Sequence, residues 1–463
     1  MDPLKFMLVG GVGLAIVRGL TRTWSSRERS VAALALTAHL VSAIAQEVIY
    51  RFVYGGGDMM VYQWYGSMIA DLIVSDPAGY LPEALKLLFQ QEHGLPFRVI
   101  GSGSSTGSMS GLASLLTVLV GNELYVMGAV VGVASAAGLM LIHADLRDEV
   151  PEHLHVRTAI ALMLLPSVVF WTSAVLKESV IMLPIGLTTR GLVEIVRKRR
   201  VARGLLLVVI GGTGIALFKP YVLAGFFAGF PAFYLSHRAQ LKNVPFRISP
   251  SKAILAGIGT ALFLFGFGRL FEQYDVADLG TQLSTEQQNT LRSAGGSSYQ
   301  LVSTESTSLA SQLAFTPLAI FTTLFRPLIF EAHNAQALVN AAEATLLFLF
   351  FARGALQRRF GDVLRFVLDR PVLVLTQSYA LVLAVGVGLA TTNLGTLSRY
   401  RVPMYAHFAV VCVLLVSNLR STRSVTAQTA QLELAPATPP LPRAAATGSR
   451  AVESILRQRM PDQ

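Results

Sequence analysis

The chain has 463 residues, 52% of them hydrophobic and 14% charged, and a formal net charge of +11. Soluble domains carry about 25% charged residues, so the composition excludes a soluble globular protein and predicts an all-α polytopic membrane protein. The basic residues sit in short loops between apolar runs, which points to topology and anionic headgroups and away from nucleic acid; the single cysteine, Cys412, excludes an intrachain disulfide or thiolate metal site.

The first apolar run, 4–20, is followed by the Arg-rich loop TRTWSSRERS and by no small-residue cleavage site, so it reads as a retained helix. With that loop it makes an added N-terminal unit, 1–30, ahead of a transmembrane domain over 31–419. Spans are predicted in that domain at 31–53, 124–142, 158–176, 179–196, 204–218, 221–236, 253–270, 335–351, 372–390 and 402–419, which with the first makes about eleven. Four loops are basic: TRTWSSRERS, RKRRVAR (197–203), HRAQLKNVPFRISPSK (237–252) and RGALQRRFGDVLR (353–365). Alternation of the spans puts all four on one side, which the positive-inside rule makes the cytoplasm. The N-terminus and the loop after the second span then face the exterior, and the C-terminus faces the cytoplasm.

That exterior loop opens on RFVYGGGDMMVYQWYGSMIA, 51–70. Three glycines permit a sharp turn and a close backbone approach, and an acid just outside the membrane core, Asp58, is placed to act on a lipid-borne substrate or simply to cap an interfacial turn. Interfacial amphipathic helices are expected over 59–74 and 81–90, with Tyr62, Trp64 and Tyr65 at headgroup level. The run IGSGSSTGSMSG (100–111) stays open between a flexible linker and a phosphate cradle at a helix N-terminus, and 110–120 reads as re-entrant or interfacial. Two later exterior segments follow, a polar loop over 271–312 and LAFTPLAIFTTLFRPLIFEAHN over 313–334. Pro317 and Pro327 predict a broken or interfacial helix in the second. The low-complexity tail, 420–463, is expected to be disordered in the cytoplasm, with a short surface helix at 450–459.

Soluble-enzyme motifs are absent: no Walker loop, zincin His pair, nucleophile elbow or usable Cys/His cluster, and His153 and His155 read as solvated loop residues. With no nucleotide site, a transfer reaction needs a donor activated elsewhere, as lipid-linked phosphates are. Charges near hydrocarbon are costly unless paired or hydrated, which singles out those at exterior span ends. They are Asp58, Lys177 with Glu178, Lys219, Arg326 with Glu331, and Arg399 with Arg401. Around one cavity, Lys177, Lys219, Arg326, Arg399 and Arg401 would hold a lipid phosphate or pyrophosphate. Singly, each also reads as a snorkelling cation or a salt-bridge partner, Lys177 with Glu178 for one. Asp58 suits a general base on an acceptor hydroxyl, with Glu178, Glu331 and Asp275 as secondary acids. No protein metal site is read from the sequence; a divalent metal such as Mg stays open as a cofactor.

Three stretches resemble the GT-C class of integral-membrane glycosyltransferases and the polymerases of bacterial cell-surface polysaccharides. They are GGGDMMVYQWYGSMIA with the amphipathic helices after it, the hairpin PSVVFWTSAVLKES, and GTLSRYRVP before the last span. The resemblance implies an enzyme of the bacterial inner membrane that moves a sugar or oligosaccharide from a polyprenyl-phosphate or -pyrophosphate carrier to a surface glycan or lipid. It puts Asp58 at the position of the catalytic acid, and makes the bilayer, the lipid-linked donor and the glycan or lipid acceptor the partners. The sequence departs from the class in having one acid in place of a pair, after the second span in place of the first, so that 4–20 is an added helix. The rival readings are a repeat-unit polymerase or ligase that relies on the exterior arginines, and a transporter or flippase. The latter would use Arg18, Glu47, Arg190 and Glu343, although Glu47 and Arg51 are spaced to pair with each other.

Overall fold

The computed structural model describes residues 2–246, 249–251, 257–259, 279–292, 298–299, 308–357, 359–417 and 419. Most of the span expected at 253–270, Asp275, the tail from 420 and its 450–459 helix lie outside the described residues. Among the described residues every regular element is helical.

Helix α1 (Pro3–Leu20) is followed by α2 (Ser26–Val48), whose start is closed by a capping box: Ser25 Oγ accepts the Glu28 N–H, and the Glu28 carboxylate accepts the Ser25 N–H at 3.0 Å. Helix α2 runs on as a π-helical stretch, Ile49–Tyr54. Next come α3 (Asp58–Ser75), α4 (Pro77–Leu88) and α5 (Ser105–Val120), with Tyr65, Ile69, Ile73, Ala84 and Leu87 in one small core. Tyr65 packs into that core and Tyr62 is buried as well, so only Trp64 of the expected headgroup aromatics is exposed. The segment 110–120 is the second half of α5.

Helix α6 (Leu124–Arg147) is the axis of the bundle. Its apolar window is 83% buried, against 11% for α1, which therefore faces lipid. Helices α7 (His155–Met163) and α8 (Pro166–Trp171) replace the single span expected at 158–176. The break falls at Pro166, which cannot continue a helix, and Glu343 accepts the freed Ser167 N–H at 2.8 Å. Helices α9 (Lys177–Val196), α10 (Val201–Phe218) and α11 (Tyr221–Leu241) follow. Helix α9 lies against α6 with backbone on backbone: a Cβ on Gly186 would stand 2.5 Å from the Gly138 carbonyl oxygen, closer than any side chain tolerates.

The remaining described helices are α12 (Leu279–Arg292), α13 (Leu309–Leu313), α14 (Thr316–Phe325), α15 (Ala335–Leu356), α16 (Phe360–Leu368), α17 (Pro371–Ala390), α18 (Leu394–Tyr400) and α19 (Val402–Val416). Among the described residues, seven helices are long and apolar enough to cross a membrane: α1, α2 with its extension, α6, α9, α10, α15 and α17. Helices α18 and α19, bent by 75°, make an eighth if the pair is one span. The chain is a multi-pass membrane protein. With that pair counted, the described spans fall three short of about eleven. One expected span is broken, one lies largely outside the described residues, and α11 carries Pro231 and a polar end with Ser236, His237 and Arg238.

These helices carry charge to two ends. One end joins the start of α2 to the ends of α6 and α9 and the start of α17, through Arg147–Glu28 at 2.7 Å and Arg197–Glu149 at 2.9 Å. The other joins the starts of α3, α9 and α11 to α18.

Candidate functional site

The site is built from the backbone outward. Gly55 ends the π-helical stretch with φ +70°, and Gly57 has φ +151° and ψ 173°, a region essentially reserved for glycine. A Cβ on Gly57 would also stand 2.5 Å from the Tyr50 ring. This turn makes Asp58 the first residue of α3, where a carboxylate suits the positive end of the helix dipole. Its side chain is 52% exposed.

Arg399 reaches Asp58 from α18, Nη1 to Oδ2 at 2.7 Å, across 341 positions of sequence. The same guanidinium places Nε 2.9 Å from Glu178 Oε2, near enough for an ion pair and misaligned for a hydrogen bond. Glu178 is fully buried at the start of α9, and its Oε1 accepts a hydrogen bond from Lys219 Nζ at 2.6 Å. Lys219 in turn lies over the Tyr400 ring at 4.4 Å and near the Tyr221 ring at 5.7 Å. The pairing of Lys177 with Glu178 anticipated from sequence is not made. Neighbouring helical side chains diverge, and Lys177 donates instead to Ser105 Oγ at 2.8 Å and Thr106 Oγ1 at 3.1 Å. Three cations therefore face two carboxylates, and the cation left over sits with neutral hydroxyls at the N-terminus of α5. Burial, and next the Asp58 carboxylate, push the Tyr62 phenol upward, so it stays a protonated donor one turn from Asp58.

The Gly/Ser run is an ordered turn and not a linker. The Gly107 N–H donates to the Gly101 carbonyl at 2.9 Å, and Ser104 Oγ accepts the Thr106 N–H at 3.3 Å to cap α5.

Of the sequence candidates, Asp58, Lys177, Glu178, Lys219 and Arg399 converge, whereas Arg326, Glu331 and Arg401 do not join them. Arg326 and Glu331 pair with each other, and Arg326 stacks on Tyr299 at 4.6 Å. Arg401 is completely buried. It donates to the Arg326 carbonyl at 2.6 Å, lies 3.4 Å from the Thr323 carbonyl at the end of α14, and packs over the Tyr405 ring. That corrects its expected phosphate contact: the bend between α18 and α19 turns it inward.

The residues named for transport line no common passage. Glu47 pairs with Arg51 at 2.8 Å and accepts the Tyr125 N–H, Arg190 pairs with Asp145 and Glu194, Glu343 caps α8, and Arg18 is exposed. His155 is not solvated: its Nε2 lies 2.8 Å from the Val150 carbonyl and its Nδ1 3.7 Å from Glu28, while His153 is exposed. Sequence reasoning missed Ser105 and Thr106 as partners of Lys177, although the capping pattern after Gly103 was a usable signal. It also missed Tyr400 and Tyr221 around Lys219, each adjacent to or near a residue already named. Among the described residues, no three His, Cys, Asp or Glu side chains converge on a metal-sized site.

No protein-family model, no curated protein and no solved structure matches this chain.

Proposed function

We propose that the protein transfers a sugar or oligosaccharide from a polyprenyl-phosphate or -pyrophosphate carrier to a surface glycan or lipid. The reaction takes place at the Asp58 end, which the positive-inside rule assigns to the exterior face of a bacterial inner membrane. One observation carries this reading: Lys177, at a helix N-terminus and without a carboxylate of its own, stands within the same end as the half-exposed Asp58. A cation and two hydroxyls at the positive end of a helix dipole are groups that hold a phosphate.

In the reaction, the acceptor hydroxyl oxygen attacks the anomeric carbon and gives its proton to Asp58. The bond from that carbon to the carrier's phosphate oxygen breaks, and its electron pair leaves with the lipid phosphate. Lys177 and the α5 N-terminus offset the charge that develops there. Arg399 fixes the Asp58 carboxylate, and Glu178 with Lys219 fixes Arg399. A polymerase that relies on paired arginines has less support, because Arg401 is buried among carbonyls.

Native mass spectrometry of the purified protein tests this. Wild type and Asp58→Asn are expected to retain polyprenyl-phosphate lipid and Lys177→Ala to release it, while Asp58→Asn transfers sugar about 10²–10⁴-fold more slowly. Retention by Lys177→Ala equal to wild type would remove the phosphate assignment.

A further inference from the structure

A cavity of about 210 Å³ adjoins the charged cluster. The two share α18: Asn393 and Ser398 line the cavity, and the next residue, Arg399, reaches Asp58. Four amide side chains stand on its wall, Asn334, Gln336, Asn340 and Asn393, together with Trp171 and Glu331.

The hydrogen bonds already made decide what the cavity offers. Asn334 uses its oxygen to cap α15, accepting the Ala337 N–H at 2.8 Å, and Asn393 uses its own to cap α18, accepting the Gly395 N–H at 2.7 Å. Gln336 Oε1 accepts from the Tyr54 hydroxyl. In all three the oxygen is taken and the NH2 group has no partner among the described residues. Asn340, 7% exposed, makes no side-chain hydrogen bond among the described residues. The indole N–H of Trp171, a residue 6% exposed, is also unpartnered. Asn334 is exposed and Gln336 and Asn393 are half-buried, so they offer donors at the rim, while Asn340 and Trp171 are buried, where polar groups are normally satisfied; donors gathered on one wall mark a place for a ligand rich in acceptors. Charge narrows the class. Glu331, the one ionised group on the wall, is neutralised by Arg326, so the cavity favours an uncharged ligand over an anion. Its volume is below the roughly 300 Å³ of the smallest drug-sized sites, which limits the occupant to one ring.

We infer that this cavity is a subsite for one uncharged monosaccharide unit, whose hydroxyl oxygens accept from the amides of Gln336, Asn340 and Asn393 and from the Trp171 indole. It deepens the transfer reading, on which it rests, by naming the part of the glycan held beside Asp58.

The test uses the full chain in detergent, tryptophan fluorescence, and free methyl glycosides as probes. The uncharged probes are methyl glucoside, galactoside, mannoside and N-acetylglucosaminide; the charged one is methyl glucuronide. At least one uncharged glycoside is expected to give a saturable change. Asn340→Leu is expected to weaken it at least tenfold, and Gln336→Ala, at the cavity edge and free of any capping duty, at least threefold. Absence of saturable binding by any uncharged probe, tighter binding of methyl glucuronide than of the uncharged glycosides, or wild-type affinity in both cavity variants would overturn the inference. Carrier-lipid retention reads the phosphate position independently, so failure of the subsite and failure of the transfer reading give different patterns.

Discussion

Glu28 and Glu178 are both buried carboxylates that tie distant helices together, and they lie at opposite ends of the bundle. Around Glu28 the valences close. Its carboxylate takes the Ser25 N–H and hydroxyl, Arg147 through Nε at 2.7 Å and Nη2 at 3.3 Å, and His143 at 3.2 Å. The neighbouring Glu149 is closed in the same way by Arg197 and by the Val372 N–H at 2.8 Å. Burial pushes the Glu149 carboxyl up, and Arg197 and those N–H groups act against the shift. Around Glu178 the valences stay open: a misaligned contact to Arg399, an exposed Asp58, and a lysine that has only hydroxyls for company. A closed network is a clamp between helices. An open one holds charge in place for something that arrives from outside.

The contrast breaks first at Asp58. Asp58→Asn is expected to lower transfer by about 10²–10⁴-fold, the usual worth of a positioned general base, with unfolding unchanged because the side chain is half exposed. A loss of less than tenfold would strip Asp58 of that role. Glu28→Ala should do the opposite. Removing one partner of a buried ion pair costs about 3–5 kcal/mol, so the protein should unfold far more readily while each folded molecule keeps its transfer rate. Trp24, whose ring lies 4.8 Å from His143 and 5.7 Å from Arg147, reports that unfolding by fluorescence.

How much of this was legible follows from the range over which each force acts. Apolar runs of membrane length announce themselves, so α1, α6 and α10 fall where their sequence puts them. The same local logic marks the glycine triplet as a turn and Asp58 as the start of a helix. Pairings set by the fold do not show. Arg399 and Arg401 are two residues apart, yet one meets Asp58 from 341 positions away and the other is buried against the end of α14. Only the 75° bend between α18 and α19 separates them. Lys177 and Glu178 are adjacent and looked like a pair, but the helix sends them to different neighbours. The amide cavity had no signal at all, since only the fold brings the start of α15 beside the start of α18.

Gly57 probes the junction between the two kinds of information. Gly57→Ala puts a side chain into a backbone region essentially closed to it and against the Tyr50 ring, at a cost of about 1–3 kcal/mol. If the turn serves only to join helices, thermal unfolding shifts and transfer per folded molecule does not. Because it also sets where Asp58 begins α3, transfer is expected to fall further than stability does.

The smallest expected effect discriminates most sharply. Ser105→Ala removes one of the two hydroxyls that Lys177 contacts, worth about 0.5–1.5 kcal/mol, while Thr106 keeps the lysine in position. In a closed clamp such as the one at Glu28, that energy would be lost from folding. At an open site the hydroxyl is shared with the incoming phosphate, so it should be lost from carrier-lipid retention, with the unfolding midpoint nearly unmoved. Measuring both on one preparation tells the cases apart. A shift in unfolding without a shift in retention would make Lys177 a strut of the α5–α9 contact and leave the Asp58 end without its phosphate anchor.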